Sequence, residues 1–317
     1  MAYLLLVVGF GLLIKGADLF VDGSSNIAKL LRISPIVIGL TIVAFGTSFP
    51  EATVSIIAAL EDSADVAIGN VIGSNIFNIT FIVGIAACIY PLKVQNESIK
   101  KEIPFALLAG GVLLVLISDT LLNGSSSNSL SRGDGIIFLL ILCVFLYYVF
   151  EVAMKDRKNT PKAEVPDDIT WWKSVLYLVI GVVAIIVGGN LVVTNGTEIA
   201  LSLGMSQTLV GLTIIAIGTS LPELVTSITA AIKKESEIAF GNIIGSNIFN
   251  ILFVLGASST ITPLIVDNKV FIDVVLMILF TFLLLLFSRT HFRIGKREGI
   301  SLVIVYVVYL IYIIIRN

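Results

Sequence analysis

Long apolar runs, broken at short intervals by clusters of charge, dominate the chain. The hydrocarbon core of a bilayer is about 30 Å thick and takes roughly 20 apolar helical residues to cross. On that scale the pattern predicts ten spans, near residues 3–31, 35–59, 66–91, 102–119, 134–153, 172–203, 207–232, 238–263, 270–288 and 299–315. Several are longer than a crossing requires, so tilted or broken helices are expected. The predicted fold class is an all-α polytopic membrane protein with ten transmembrane helices. Composition points the same way: 57% of the residues are hydrophobic and 13% charged, outside the range of a soluble domain. The first run lacks a basic start and a small-residue cleavage site, and its pattern returns near residue 175, so it reads as a retained span.

The net charge of −2 indicates no partner, but the distribution of charge is informative. With ten spans, 16 of the 20 Lys and Arg residues fall in loops on one side, leaving Lys15, Arg132, Lys269 and Arg316 on the other. The positive-inside rule puts the basic side in the cytoplasm and both termini outside, in a multi-pass protein of the cell membrane. The longest loop, 154–171, is rich in Lys, Asp and Pro and reads as a flexible cytoplasmic linker.

A repeat organises the rest. Residues 39–84 align without a gap on 211–256, at an offset of 172, with 27 identities over 46 positions. The register extends outward, pairing Gly16 with Gly188, Ala28 with Ala200 and Pro91 with Pro263, and slips only where Ser125–Ser131 has no counterpart. Residues 1–153 and 172–317 thus form two halves of five spans each. Two odd-numbered halves enter the membrane from opposite sides, giving inverted-topology repeats, and in such transporters the substrate site lies near the midplane between the halves.

Two stretches of each half carry the chemistry. Gly46-Thr47-Ser48-Phe49-Pro50-Glu51 returns as Gly218-Thr219-Ser220-Leu221-Pro222-Glu223, and the stretch from Gly69 to Asn78 returns as Gly241 to Asn250. Glu51 and Glu223 sit near mid-membrane, where a charged carboxylate costs at least about 2.5 kcal/mol and normally faces a cavity or a cation. Pro50 and Pro222 break the helix ladder, freeing carbonyls near Ala44–Thr47 and Ala216–Thr219 that lipid cannot satisfy. The available ligands are almost all oxygens, which suits sodium or calcium; no Cys or His stands near, as zinc or copper would require. Asn78 and Asn250 are candidate ion ligands, with interhelical hydrogen bonding as the alternative; for Asn70 and Asn242 both roles stand open. Ser74 and Ser246, one turn earlier on the same face, are candidate sodium ligands. Gly69 and Gly73 suit close helix packing.

Other polar residues read as structural. Lys15, Asp18 and Asp22 can pair locally along the first helix. Cys88 and Cys143 read as buried, inert packing residues, and His291 as a solvated residue of a basic turn. No nucleophile–base pair or phosphate-binding loop appears, so neither an enzyme nor an ATP-driven pump is indicated. No cofactor and no nucleic-acid partner is expected. The expected partners are the transported ions and the lipid bilayer, and a monomer suffices.

The duplicated Gly-Thr-Ser-x-Pro-Glu and Gly-Asn-x-x-Gly-Ser-Asn-x-x-Asn motifs resemble the alpha-repeats of the calcium/cation antiporter superfamily, closest to prokaryotic sodium/calcium exchangers. The resemblance covers essentially the whole chain. It implies a calcium site from Glu51, Glu223 and the backbone oxygens of Thr47 and Thr219. It further implies flanking sodium sites from Ser48, Ser220, Ser74, Ser246, Asn78, Asn250 and the carbonyls of Ala44 and Ala216. The activity it implies is sodium/calcium exchange by alternating access, with the first and sixth helices sliding past the bundle. Potassium-dependent relatives carry Asp where this chain has Asn250, and proton-coupled members carry a different signature before the glutamate. Both departures argue against those branches; calcium/proton and potassium-dependent exchange stand as the alternative readings.

Overall fold

The computed structural model describes residues 1–122, 124–159, 169–204, 216–290 and 292–316. It is a helical bundle. Helix α1 spans Ala2–Leu31; α2 (Pro35–Thr47) and α3 (Phe49–Leu60) meet at a 47° bend; α4 spans Ala64–Ile89. After strand β1 (Leu92–Lys93) come α5 (Ile103–Leu116), β2 (Asn128–Leu130) and α6 (Arg132–Asn159). The second half holds α7 (Trp171–Ser202), α8 (Leu221–Ile232), α9 (Ser236–Ile261), β3 (Leu264–Val266), α10 (Asn268–Arg289), β4 (Arg293–Ile294) and α11 (Lys296–Arg316).

Among the described residues, seven helices are long and apolar enough to cross a membrane, and α2 with α3 makes an eighth if the bent pair is one span. Two of the ten expected spans differ. The 102–119 span is the 14-residue α5, entered through a π-helical turn at Ser98–Glu102, which uses up its first residue in a wider turn. The 207–232 span is described only from Ala216 onward, and its regular part is the 12-residue α8. The expected linker also begins later than its composition suggests, because α6 continues through the charged residues to Asn159. His291 lies outside the described residues.

Burial sorts the helices into layers. In its most apolar window α9 is 94% buried and α4 72% buried, whereas α1, α6, α7, α10 and α11 lie between 17% and 33%. The two helices carrying the Gly-Asn motifs are therefore the centre, and the others form the wall. The outward apolar faces of that wall include Cys143, which is exposed, while Cys88 is half-buried. The expectation of two buried thiols fails for a physical reason: lipid is as apolar as a protein core, so an apolar stretch does not reveal which face turns inward.

Glycines set the closest contacts. A Cβ on Gly9 would meet the carbonyl oxygen of Gly188 at 3.0 Å, and one on Gly16 would meet that of Gly181 at 2.9 Å. One on Gly23 would meet the carbonyl oxygen of Ser174 at 2.8 Å. Rising numbers on α1 meet falling numbers on α7, so the two helices run antiparallel along a glycine seam. Two short antiparallel ribbons finish the bundle, β1 with β4 and β2 with β3.

Candidate functional site

The bend between α2 and α3 follows directly from Pro50, which has no N–H to offer the carbonyl of Gly46. Ser48 sits at the break with non-helical ψ, and α3 then starts with Pro50 and Glu51 in its first turn. In the second half Ser220 precedes α8 in the same way, with Glu223 in the first turn. Both carboxylates are thus held at helix N-termini, where backbone dipoles favour negative charge. Both side chains have no solvent exposure.

Each carboxylate is bound by the opposite half. Ser48 Oγ donates to Glu223 Oε1 at 2.9 Å, and Ser220 Oγ donates to Glu51 Oε1 at 3.0 Å. Ser220 Oγ also lies 2.9 Å from Ser74 Oγ. Thr47 Oγ1 donates to Asn242 Oδ1 at 3.0 Å, and Thr219 Oγ1 donates to Asn70 Oδ1 at 3.1 Å. Ser246 Oγ is 3.4 Å from Thr47 Oγ1 and 3.5 Å from the carbonyl oxygen of Ala44. Glu51, Glu223, Ser48, Ser220, Thr47, Thr219, Ser74 and Ser246 are therefore linked by direct contacts across the two halves.

The central helices add a second layer. Asn78 Nδ2 donates to Asn247 Oδ1 at 3.1 Å, and Asn250 Nδ2 donates to Asn75 Oδ1 at 3.1 Å. Asn75 and Asn247 in turn donate to each other's backbone carbonyls, at 3.2 and 3.4 Å. With their nitrogens committed, Asn78 and Asn250 each keep an amide oxygen free. A π-helical turn begins at each of them, Asn78–Ile82 in α4 and Asn250–Leu255 in α9. Such turns are frequent at functional sites because the widened turn loosens the ladder.

Four buried acceptor oxygens are left without a partner here: Glu51 Oε2, Glu223 Oε2, Asn78 Oδ1 and Asn250 Oδ1. They form two pairs at the repeat offset of 172. Leaving such groups unsatisfied costs about 1–3 kcal/mol each, and more for charged ones. Among the described residues, no ion pair involves either glutamate. Nor are three or more His, Cys, Asp or Glu residues placed to share a metal ion. What the arrangement can bind is a hard cation, through two carboxylates supplemented by amide and hydroxyl oxygens.

Two expectations change. The Ala44 carbonyl is not freed by Pro50: it accepts from the Ser48 backbone N–H at 3.0 Å, with the Thr47 and Ser246 hydroxyls at 3.3 and 3.5 Å. Asn70 and Asn242 have both ends of the amide in use, since Asn70 Nδ2 reaches Ser55 Oγ at 3.0 Å and Asn242 Nδ2 reaches Ser227 Oγ at 3.0 Å. They brace the threonines. Ala216 opens the short helical turn Ala216–Gly218 that leads to the second break. Asn75 and Asn247 were not singled out from the sequence, although the signal was present: each stands inside the duplicated motif, one turn before a candidate ligand. Asp18 and Asp22 do more than pair locally, because Lys233 reaches both at 2.7 Å.

Several known proteins resemble this chain over nearly its whole length. The family model for the sodium/calcium exchanger protein matches residues 1–151 and 173–315. The chain is 41% identical over 306 residues to the putative antiporter CaxA of Alkalimonas amylolytica, covering 95% of this chain and 92% of that one. It is 33% identical over 341 residues to the sodium/calcium exchanger MaX1 of Methanosarcina acetivorans, covering 98% and 97%. Among solved structures, the sodium-calcium exchanger NCX_Mj soaked with sodium and strontium aligns with a TM-score of 0.83 and 32% identity, over 97% of this chain and 96% of that one. The duplicated motifs, the paired buried glutamates and these matches together place the chain in the sodium/calcium exchanger family.

Proposed function

We propose that this chain exchanges sodium for calcium across the cell membrane by alternating access, using Glu51 and Glu223 as the shared centre of the ion sites. The observation that carries the reading is the set of four buried, unpartnered oxygens on Glu51, Glu223, Asn78 and Asn250, with no ion pair to either glutamate among the described residues. Calcium takes the two carboxylates with the carbonyls of Thr47 and Thr219. Sodium ions take Ser48, Ser220, Ser74, Ser246, the two amide oxygens and the carbonyls of Ala44 and Ala216. Because the sets overlap, one cargo displaces the other. An empty site of charge −2 is costly to carry through an occluded state, and this couples the two flows without ATP.

The ten-span, inverted-repeat architecture belongs to the same proposal. It is supported by the 172-residue repeat, by the antiparallel run of α1 against α7, and by hydrogen bonds that recur in offset pairs across the halves. The glycine seam lets α1 and α7 move together as a slider against α4 and α9. Both termini lie outside, following the basic loops.

Binding tests the reading before transport does. Calcium should raise the thermal midpoint of the purified protein, and sodium should shift the required calcium concentration upward while potassium does not. Indifference to sodium, with protons displacing calcium instead, would contradict the sodium assignment.

A further inference from the structure

The two ribbons fix the register of the last helix in each half. Leu92 pairs with Ile294, and Leu264 pairs with Leu130. Leu92 and Leu264 are offset by 172, so Leu130 corresponds to Ile294 and α6 corresponds to α11 at an offset of 164. The glycines agree: a Cβ on Gly135 would press on the Gly256 carbonyl at 2.6 Å, and one on Gly299 on the Gly84 carbonyl at 2.7 Å. In this register Tyr148 corresponds to Tyr312, and Val152 to Arg316. The acid at the head of α10, Asp273, corresponds to Glu102 at the head of α5 once the extra residue of the π-helical turn Ser98–Glu102 is allowed for.

The halves treat that acid differently. Arg316 grips Asp273 through two parallel N–H···O bonds of 2.9 Å. Glu102 has Val152 where Arg316 would be. It is 3% exposed, accepts the Tyr148 hydroxyl on Oε1, and keeps Oε2 buried without a partner. The neighbouring ammonium of Lys101 lies over the Tyr148 ring, 5.1 Å from its centroid, and makes no ion pair with Glu102.

Glu102 lines a cavity of about 620 Å³ at the end of α6. That volume is far larger than a bare ion. Lys155 and Lys158 line it, interspersed with Glu97, Glu151 and Asp156, and so do exposed Tyr147, Phe150 and Met154. Along α6 charge returns at Glu151 and is continuous from Lys155, beyond exposed Met154, which marks the boundary between hydrocarbon and water. A buried acceptor for a cation, cations for an anion, and an apolar wall facing lipid are the complement of a zwitterionic headgroup with acyl chains attached.

We propose that this cavity binds the headgroup of an aminophospholipid. Its primary ammonium donates to Glu102, the role Arg316 fills in the other half, its phosphate faces Lys155 and Lys158, and its chains lie along Tyr147, Phe150 and Met154. A choline headgroup has no N–H to donate and a glycerol headgroup has no cation, so both should be rejected.

Native mass spectrometry of the full chain, offered equal phosphatidylethanolamine, phosphatidylcholine and phosphatidylglycerol, tests this. One phosphatidylethanolamine should survive collision energies that strip the other two. Glu102→Gln should lose that preference. So should Val152→Arg, whose guanidinium would reproduce the Arg316 contact; this variant keeps the test open if Glu102→Gln does not fold. Equal retention of phosphatidylcholine by the wild type, or an unchanged preference in a folded Val152→Arg protein, would overturn the proposal. So would displacement of the lipid by soluble ethanolamine alone, which would make the cavity a site for free amines.

Discussion

The hydroxyl of Ser48 lies 2.9 Å from Oε1 of Glu223, although 175 positions separate the two residues. Its repeat-related bond, from Ser220 to Glu51, closes at 3.0 Å. The carboxylate of each half is therefore held by the break of the other, so neither half alone can assemble this arrangement. Replacing Ser48 with Ala removes one donor to Glu223 and one candidate sodium ligand. A bond of this kind to a charged group is worth about 1.5–3 kcal/mol, so sodium affinity should fall by roughly tenfold or more. Sodium titrations of wild type, Ser48→Ala and Ser220→Ala should show similar losses in the two variants. A loss confined to one would mean that the two sodium sites differ.

Asn247 is predicted to position Asn78 without binding an ion itself. Asn247→Ala leaves the Asn78 amide without its acceptor and should weaken ion binding about as much as Asn78→Ala does. Because the two act through one hydrogen bond, the double variant should lose far less than the sum of the single losses. Calcium-binding isotherms for the four proteins of the cycle provide the check, and additivity would mean that Asn247 acts independently.

The glycine seam makes a mechanical prediction. A Cβ on Gly181 would sit 2.6 Å from the Phe20 backbone nitrogen and 2.8 Å from the Gly16 carbonyl oxygen. Gly181→Ala should push α1 and α7 apart at a cost of about 1–3 kcal/mol. Thermal midpoints should fall and transport should slow, while calcium affinity in the purified protein stays near that of the wild type.

Lys233 ties the end of α8 to α1 through Asp18 and Asp22, each at 2.7 Å. The acids are 40% and 48% exposed, so solvent discounts the stability of each pair to below about 1 kcal/mol. The repeat does not reproduce the tie, since Asn190, Thr194 and Glu61 stand at the corresponding positions. Lys233→Met should leave the midpoint almost unchanged but raise the accessibility of cysteines placed along the α1–α8 contact. Unchanged labelling rates would show that the tie does not restrain α1.

Much of the site was legible because the chain states it twice. Glu51 and Glu223 drew attention as charges in apolar surroundings, and the prolines beside them announced the breaks. The exchange of partners between halves was not legible, because a repeat gives equivalence and not contact. Ser48 could as readily have served Glu51. The Ala44 carbonyl keeps its helical bond for a local reason: Pro50 removes a donor from Gly46, two residues beyond it, and the Ser48 amide survives to bond Ala44. The correspondence of Glu102 with Asp273 was hidden by the extra residue of a π-helical turn, which breaks a fixed offset.

Sodium-gradient-driven calcium uptake tests the central claim most directly. Proteoliposomes loaded with sodium and diluted into sodium-free buffer should accumulate radioactive calcium, potassium-loaded vesicles should not, and Glu51→Gln and Glu223→Gln proteins should be inactive although folded. Uptake that ignores sodium and follows a proton gradient, or full uptake by both glutamine variants, would contradict the account.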